Sequence, residues 1–155
     1  MRLKIAAVGR LRRGPEAALV DDYLSRFDKT GRAHGLGPVT LQEVEARKSG
    51  KPAEATLLIK ATVGIKPVIV LDERGRMLSS PQFAKQLATW RDQGCPEAAF
   101  VIGGADGLDR SIRDQADFAI SFGAMVWPHM LARVMLAEQL YRAASILAGS
   151  PYHRV

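Results

Sequence analysis

The chain has 155 residues, with 22 Lys and Arg against 16 Asp and Glu, 47% apolar residues and a single cysteine. These proportions are those of a globular protein and exclude a mainly disordered or low-complexity chain. One cysteine cannot form an internal disulfide or a thiolate cage for zinc, so the disulfide-rich and zinc-finger classes are excluded as well. The length predicts one domain over residues 1–155, and no metal is expected.

Apolar periodicity predicts five short strands along the chain. The clearest is the run Val68-Ile69-Val70-Leu71, which is typical of a buried parallel strand. The others are apolar runs that stop at glycine, proline or polar residues. The predicted strands span residues 3–8, 39–45, 67–72, 98–102 and 124–127, with a break over residues 48–52.

Helical spacing of apolar residues fills the segments between these strands. One helix is predicted to begin at Ser80, with its hydroxyl as the cap, and to bury Phe83, Leu87 and Trp90. The other predicted helices span residues 15–27, 53–63, 108–122 and 130–147. Strands alternating with helices predict an α/β fold in which a mostly parallel sheet is covered by helices on both faces.

Three loops mark the carboxyl ends of the predicted strands in the second half of the chain. They are residues 71–75, 102–107 and 127–129. Ligands of open α/β sheets bind in the crevice beyond these ends. The sequence therefore predicts a site where the three loops meet.

The middle loop carries three glycines within residues 103–107. Glycines between a strand and a helix let the backbone approach a ligand closely, but they also make a tight turn. The phosphate-loop pattern fails because no Lys-Ser/Thr pair follows, and the spacing does not fit the dinucleotide fingerprint. Spacing alone leaves the ligand loop and the simple turn equally open.

The last predicted helix is apolar on more than one side. Leu131 and Met135 face differently from Leu140, Ala144 and Leu147. Such a helix requires two partners, of which one is its own sheet and the other a possible second copy of the chain. The pair formed by Glu138 and Arg142 has i,i+4 spacing and is either a surface pair or part of that interface.

Basic residues concentrate at both ends of the chain. The net charge is +6, and the first thirteen residues contain five cations and no acid, namely Arg2, Lys4, Arg10, Arg12 and Arg13. This pattern indicates an anionic partner such as nucleic acid, or else an edge strand protected against aggregation. The tail Tyr152-His153-Arg154 could stack on a base and pair with phosphate, or simply be the end of the chain.

No apolar run approaches the roughly 20 residues that a membrane-spanning helix needs, and the basic start is not followed by a long apolar core. We therefore expect a cytoplasmic protein without a membrane partner.

Together these segments resemble the ribosomal RNA large subunit methyltransferase H family, which belongs to the knotted SPOUT-class methyltransferases. The resemblance covers nearly the whole length and rests mainly on Leu71 with Gly75, the glycine loop 103–107, Pro128-His129, the run 138–143 and the tail 151–154. It implies a C-terminal trefoil knot and a homodimer. The implied reaction is methylation by S-adenosylmethionine of N3 of a pseudouridine in 23S rRNA within the assembled 70S ribosome. A pseudouridine synthase must then act first.

The resemblance also implies which residues bind the cofactor, largely through backbone groups. They are Leu71, Gly103, Gly104, Gly123, Ala124, Met125, Val126, Trp127 and Pro128.

Residues of the tail and of the last helix are implied to act on the base. His153 is the first candidate for the proton acceptor, because a free imidazole titrates near pH ~6.5. His129 is its rival, or merely a helix cap. Arg154 and Arg142 are expected to hold phosphate or base carbonyls, and Tyr152 to stack or to close the pocket.

Three other functions stay open at this stage. A non-enzymatic ribosome-binding factor would use the same basic ends, but it leaves the glycine loop unexplained. A flavodoxin-like or phosphate-binding enzyme would need a phosphate loop near the first strand, and the sequence has none there. A knotted methyltransferase could also act on transfer RNA. Affinity for S-adenosylmethionine separates the methyltransferases from the other two.

Overall fold

A computed structural model describes residues 1–47 and 50–154. Its strands are β1 (Arg2–Val8), β2 (Val39–Val44), β3 (Val68–Met77), β4 (Glu97–Ile102) and β5 (Phe118–Ser121). Its α-helices are α1 (Pro15–Gly31), α2 (Lys51–Ala61), α3 (Ser80–Asp92), α4 (Arg110–Gln115) and α5 (His129–Leu147), and a 3-10 turn, Arg32–His34, follows α1. The break predicted over residues 48–52 lies partly outside the described residues.

The five strands form one sheet in the order β2-β1-β4-β3-β5, and every neighbouring pair is parallel. The predicted α/β class is thus confirmed. Strand β1 lies between β2 and β4, so the interpretation of the basic N-terminus as a protected edge strand is wrong.

Alternating side chains of the sheet build a core on each face. On one face, Phe100 and its neighbours pack against Phe27 of α1, Phe83 of α3 and Leu140 of α5. On the other face, Val101 and its neighbours pack against α2 and α4. The central strands are therefore buried on both sides, as the continuous apolar runs of β1, β3 and β4 predict.

The prediction of a helix over residues 108–122 is wrong, and so is the strand over 124–127. Helix α4 has only six residues and ends at Gln115, because the backbone of the next residue, Ala116, is extended. The chain then forms β5, which pairs with β3. Met125 and Val126 are 73% and 82% exposed and lie in a loop. Strand β5 ends at Ser121, and residues 122–128 form one long connection to α5. The predicted loop 127–129 therefore does not directly follow a strand.

The N-cap of helix α3 lies one residue before the cap that the sequence predicts. The cap is Ser79, whose hydroxyl accepts from the amide of Gln82 while the side chain of Gln82 accepts from the amide of Ser79. Ser80 is the first helical residue, and its hydroxyl donates to Gln139 of α5 instead. The predicted burial of Phe83, Leu87 and Trp90 is confirmed.

Strand β3 bulges next to β5. Leu71 and Arg76 both face Ile120, so the residues between them are extra in the ladder. A Cβ on Gly75 would lie 2.6 Å from backbone atoms of Ile120, and only glycine fits this approach. The bulge presents Asp72, Glu73 and Arg74 at the carboxyl end of the sheet.

None of the helices described in 1–47 and 50–154 is long and apolar enough to cross a membrane.

Candidate active site

A cavity of about 680 Å³ lies beyond the carboxyl ends of β3, β4 and β5 and against the first turn of α5. This volume is within the range of small-molecule sites. Its walls come from the β3 bulge, residues 104–107 of the glycine loop with Leu108, residues 120–123 and the connection to α5. The three predicted loops therefore do meet, although the third is longer than the sequence indicated.

Most of the residues implied to bind a cofactor line this cavity. They are Leu71, Gly104, Gly123, Met125, Val126, Trp127 and Pro128. Gly103 and Ala124 do not line it: Gly103 is buried behind the glycine loop, and Ala124 is exposed on the outer side of the connection. Among the described residues, none accepts a hydrogen bond from the backbone amides of 124–127, which leaves these groups free to contact a ligand.

The glycine loop is both a tight turn and a wall of the cavity. The amide of Gly107 donates to the carbonyl of Gly104 at 3.0 Å, and a Cβ on Gly103 would lie 2.8 Å from the backbone of Gly107. A Cβ on Gly104 would lie 3.1 Å from Val8 and 3.2 Å from the Glu54 carboxylate. The tight turn is therefore confirmed, while the role of the loop in binding a ligand stays a prediction.

Charged side chains of both signs line the cavity, with Lys51, Arg74 and Arg113 beside three carboxylates. Asp72 is only 11% exposed, accepts from the amide of Arg74 at 2.9 Å and lies 3.6 Å from the guanidinium of Arg113. Glu73 and Asp106 line the cavity as well. Arg113 is not predicted from the sequence, because a single helix over residues 108–122 does not show the short α4 that lies beside the cavity.

Ser121 fixes the direction of the chain as it leaves β5. Its hydroxyl donates to the carbonyl of Gly123 at 3.0 Å and accepts from the Gly123 amide at 3.2 Å. Gly123 has a φ of +115°, a conformation that favours glycine. Ser121 was also missed, since its signal depends on placing the end of β5 correctly.

His129 is the first residue of α5 and lines the cavity. Burial lowers the pKa of its imidazole, and the nearby positive charge of Arg133 lowers it further. Its side chain makes no capping hydrogen bond, so the helix-cap alternative is wrong. The ring is therefore neutral at physiological pH and faces the cavity as a hydrogen-bonding group without charge.

Arg133 is fully buried one turn after His129. It donates to the carbonyls of Val8 and Gly9 at 2.9 and 3.0 Å and to the Glu43 carboxylate at 2.9 Å. Arg133 is not among the residues that the sequence predicts for the site. Its spacing from Leu136 and Leu140 puts it on the buried face of α5, and this spacing is the signal that could have identified it.

The tail residues form a second polar cluster around Glu138. One oxygen of Glu138 accepts from Arg142 at 2.9 and 2.7 Å and from the Tyr152 hydroxyl at 3.0 Å. Burial and this bond raise the pKa of Tyr152, and the same carboxylate raises the pKa of Arg142. His153 Nδ1 lies 3.4 Å from Arg142, whereas Arg154 is exposed. The predicted Glu138–Arg142 pair exists and anchors the tail.

The cavity and the tail cluster occupy opposite sides of α5. Glu138 follows His129 by nine residues, which corresponds to about half a rotation around the helix and about 14 Å along its axis. Of the described tail residues, 151–154, none lines the cavity. Glu138 instead lines a second, more apolar cavity of about 540 Å³ with Leu19, Met77 and Met135. The structure thus brings together Arg142, Tyr152 and His153, but not with His129.

Comparison with known proteins identifies the class. A family model described as "Predicted SPOUT methyltransferase" matches residues 1–153. Proteins named "Ribosomal RNA large subunit methyltransferase H" are similar over the full length: that of Ruegeria pomeroyi is 67% identical over 156 residues, covering 100% of both chains. That of Paracoccus denitrificans is 65% identical over 155 residues, covering 99% of both. The fold and the match define a methyltransferase of the SPOUT class. The chain belongs to the ribosomal RNA large subunit methyltransferase H family.

Solved structures support the fold. A probable methylase family protein from Haemophilus influenzae has a TM-score of 0.55 at 13% identity, covering 99% of this chain and 70% of that one. A probable methyltransferase from Bordetella pertussis has a TM-score of 0.53 at 14% identity, covering 92% of this chain and 96% of that one.

Proposed function

We propose that this chain methylates N3 of a pseudouridine in 23S rRNA of the assembled 70S ribosome, with S-adenosylmethionine as the methyl donor. The relatives of like length carry a name that specifies large-subunit rRNA. The nucleotide, the atom and the prior action of a pseudouridine synthase come from the family resemblance. The observation that carries the proposal is the cavity at the strand ends, because it joins apolar walls, free backbone amides and carboxylates in one site.

The cavity fits the proposed cofactor. Leu71, Leu108 and Ile120 give apolar walls for an adenine ring, and the amides of 124–127 can bind its polar edge. Asp72 and Glu73 offer negative charge to a cationic sulfonium or ammonium group. When bound, S-adenosylmethionine supplies a methyl group that its positively charged sulfur makes electrophilic.

The residues of the chain then have two tasks. They must hold N3 in line with the methyl group, and they must accept the proton of this weakly acidic nitrogen. We assign the proton to the imidazole of His153, with Tyr152 stacking on the base and Arg142 and Arg154 holding carbonyl or phosphate oxygens. His129 is the second candidate, because it already faces the cavity as a neutral imidazole.

The proposal includes a homodimer and the C-terminal trefoil knot of the family. Exposed apolar residues support the dimer: Leu19, Met77 and Trp127 line the two cavities and are between 39% and 73% exposed, and Leu131 on α5 is 38% exposed. A protein surface rarely leaves such a set uncovered. A second copy would also explain why the tail cluster lies away from the cavity of its own chain. In the dimer, the tail of one copy completes the cavity of the other.

The decisive measurement is transfer of labelled methyl from S-adenosylmethionine to ribosomes from cells lacking this protein. Intact 70S ribosomes, isolated large subunits and transfer RNA are compared, and the labelled nucleotide is mapped. Label on N3 of one pseudouridine in 70S ribosomes is expected, and ribosomes without the synthase should stay unlabelled. Label only on transfer RNA would change the substrate, and no cofactor binding would favour a non-enzymatic ribosome-binding factor.

Two variants test the roles of the tail and of the dimer. His153→Ala is expected to bind the cofactor normally and to lose most methyl transfer, and full activity would show that another group takes the proton. Ala132→Phe enlarges a half-exposed residue that lines the cavity and should block cofactor binding. Mixing the two inactive variants should restore part of the activity if the site is shared between copies. An inactive mixture of proven mixed dimers would contradict the shared site.

A further inference from the structure

The loop between β1 and α1, residues 9–14, carries three exposed arginines, Arg10, Arg12 and Arg13, and is called the arginine loop below. The other basic residues of the N-terminus already have partners, since Arg2 lies 3.3 Å from Glu97 and Lys4 donates to the carbonyl of Ala61.

Within the arginine loop, partners are scarce. Arg10 lies 3.3 Å from Glu45, but both side chains are more than half exposed. Such a pair contributes little to stability. For Arg12 and Arg13, no carboxylate lies within 4.0 Å in the part of the chain that the structure describes. These two guanidinium groups serve no folding contact there.

The arginine loop begins at the rim of the cavity. Strand β1 ends at Val8, whose side chain would lie 3.1 Å from a Cβ on Gly104. A Cβ on Gly9 would lie 3.7 Å from Nε2 of His129, which lines the cavity. The arginines therefore extend from a point next to the cavity proposed for the cofactor.

The ion pair between the buried Arg133 and Glu43 fixes the position of the arginine loop. Arg133 holds the carbonyls of Val8 and Gly9, and Glu43, its partner at 2.9 Å, also accepts from the amide of Leu11 at 2.8 Å. Burying a guanidinium away from solvent is costly, so its hydrogen bonds must hold it firmly in place. The backbone at the start of the arginine loop is therefore held in one position. It gives the exposed arginines a fixed origin.

We propose that the arginine loop binds the phosphate backbone of the rRNA strand beside the target nucleotide. This inference rests on the proposed function. Guanidinium groups match phosphate with paired hydrogen bonds. The cavity carries no excess of positive charge, because Lys51, Arg74 and Arg113 line it together with Asp72, Glu73 and Asp106. Arg12 and Arg13 lie outside the cavity and therefore offer positive charge that its carboxylates do not offset.

The test compares two double variants that remove the same charge. Arg12→Ala/Arg13→Ala removes two arginines of the loop. Lys29→Ala/Arg32→Ala removes two exposed cations at the far end of the 17-residue α1, about 25 Å away. Binding to 70S ribosomes is measured over a series of salt concentrations, and calorimetry with S-adenosylmethionine is the control for the cavity.

The loop variant is expected to bind ribosomes about tenfold more weakly, and the slope of log affinity against log salt should fall by about 1.5 for two lost phosphate contacts. KM for ribosomes should rise with little change in kcat, and cofactor affinity should equal that of the parent. The control variant should change none of these. Equal ribosome binding by the two variants would overturn the proposal.

Cross-linking separates RNA from an acidic protein surface as the bound partner. A photoreactive residue in place of Arg13 should cross-link to 23S rRNA close to the methylated nucleotide. Cross-links to ribosomal protein alone, or to RNA far from that nucleotide, would overturn the proposal. If the parent binds ribosomes in this way but transfers no methyl group, the docking loop stands and the proposed reaction fails.

Discussion

Replacing Arg133 with methionine should destabilise the chain strongly while nearly conserving side-chain volume. The change removes three hydrogen bonds and leaves the carbonyls of Val8 and Gly9 and the Glu43 carboxylate without their donor. Breaking a buried ion pair costs about 3–5 kcal/mol. We expect about 3 kcal/mol, the lower end of that range, because the Glu43 side chain is 26% exposed and can rehydrate. The Nε of Arg133 has no partner among the described residues, so its removal returns some desolvation energy.

Urea unfolding at one fixed protein concentration measures this effect. A loss of about 3 kcal/mol lowers the midpoint by about 1.5 M for an m-value near 2 kcal/mol/M. Glu43→Gln and the double variant complete a cycle in which the second change should cost much less once the first is made. Arg110→Met, which removes an exposed pair with Asp114, is the control and should cost under about 0.5 kcal/mol. Additive effects of the two buried changes, or an Arg133→Met midpoint equal to that of the control, would refute the reasoning.

Two further predictions concern the bulge and the cavity. Gly75→Ala should lower the unfolding midpoint sharply, because the new Cβ would lie 2.6 Å from the backbone of Ile120. Gly14→Ala should be tolerated, because its new Cβ would make only ordinary contacts, at 3.7 Å from Glu16 and 3.8 Å from Arg12. Circular dichroism during urea unfolding compares the two variants. Burial lowers the pKa of His129 in the folded state below its ordinary value near 6.5. As the pH falls through this ordinary value, the unfolded state binds a proton before the folded state does. The free energy of unfolding therefore declines as the pH falls. His129→Gln should therefore lose less stability than the parent between pH 7.5 and about 5. Equal pH profiles of stability for the parent and His129→Gln would contradict this.

Long apolar patterns were sufficient to predict most of the fold. Strands β1, β3 and β4 are buried on both faces, and their continuous apolar runs leave few alternatives. The last helix, α5, was predicted to within one residue of its start. The segment after the glycine loop failed because β5 has four residues and α4 has six, which is too short for either period to show.

The sequence predicts where the site lies, but it does not predict that the tail residues lie apart from the cavity. The three loops follow strand ends, and parallel strands bring such ends to one edge. The tail cluster depends on which face of α5 carries Glu138 and Arg142, and no apolar pattern reports that. Arg133 was not predicted to be buried, although its spacing from Leu136 and Leu140 places it on the same face of α5. A charged residue in register with an apolar stripe indicates a buried ion pair, and its partner comes from another element, here Glu43 of β2.

Helix α5 connects the parts of the proposed site through different faces. Its first turn places His129 in the cavity proposed for the cofactor, and Arg133 on the buried face fixes the arginine loop. Glu138 on the opposite side holds the tail. The arginines proposed to bind RNA thereby lie outside the cavity whose walls include Asp72, Glu73 and Asp106. A strand of RNA bound by the arginine loop would then reach the rim where His129 lies, and a tail from the second copy would complete the site from the other side.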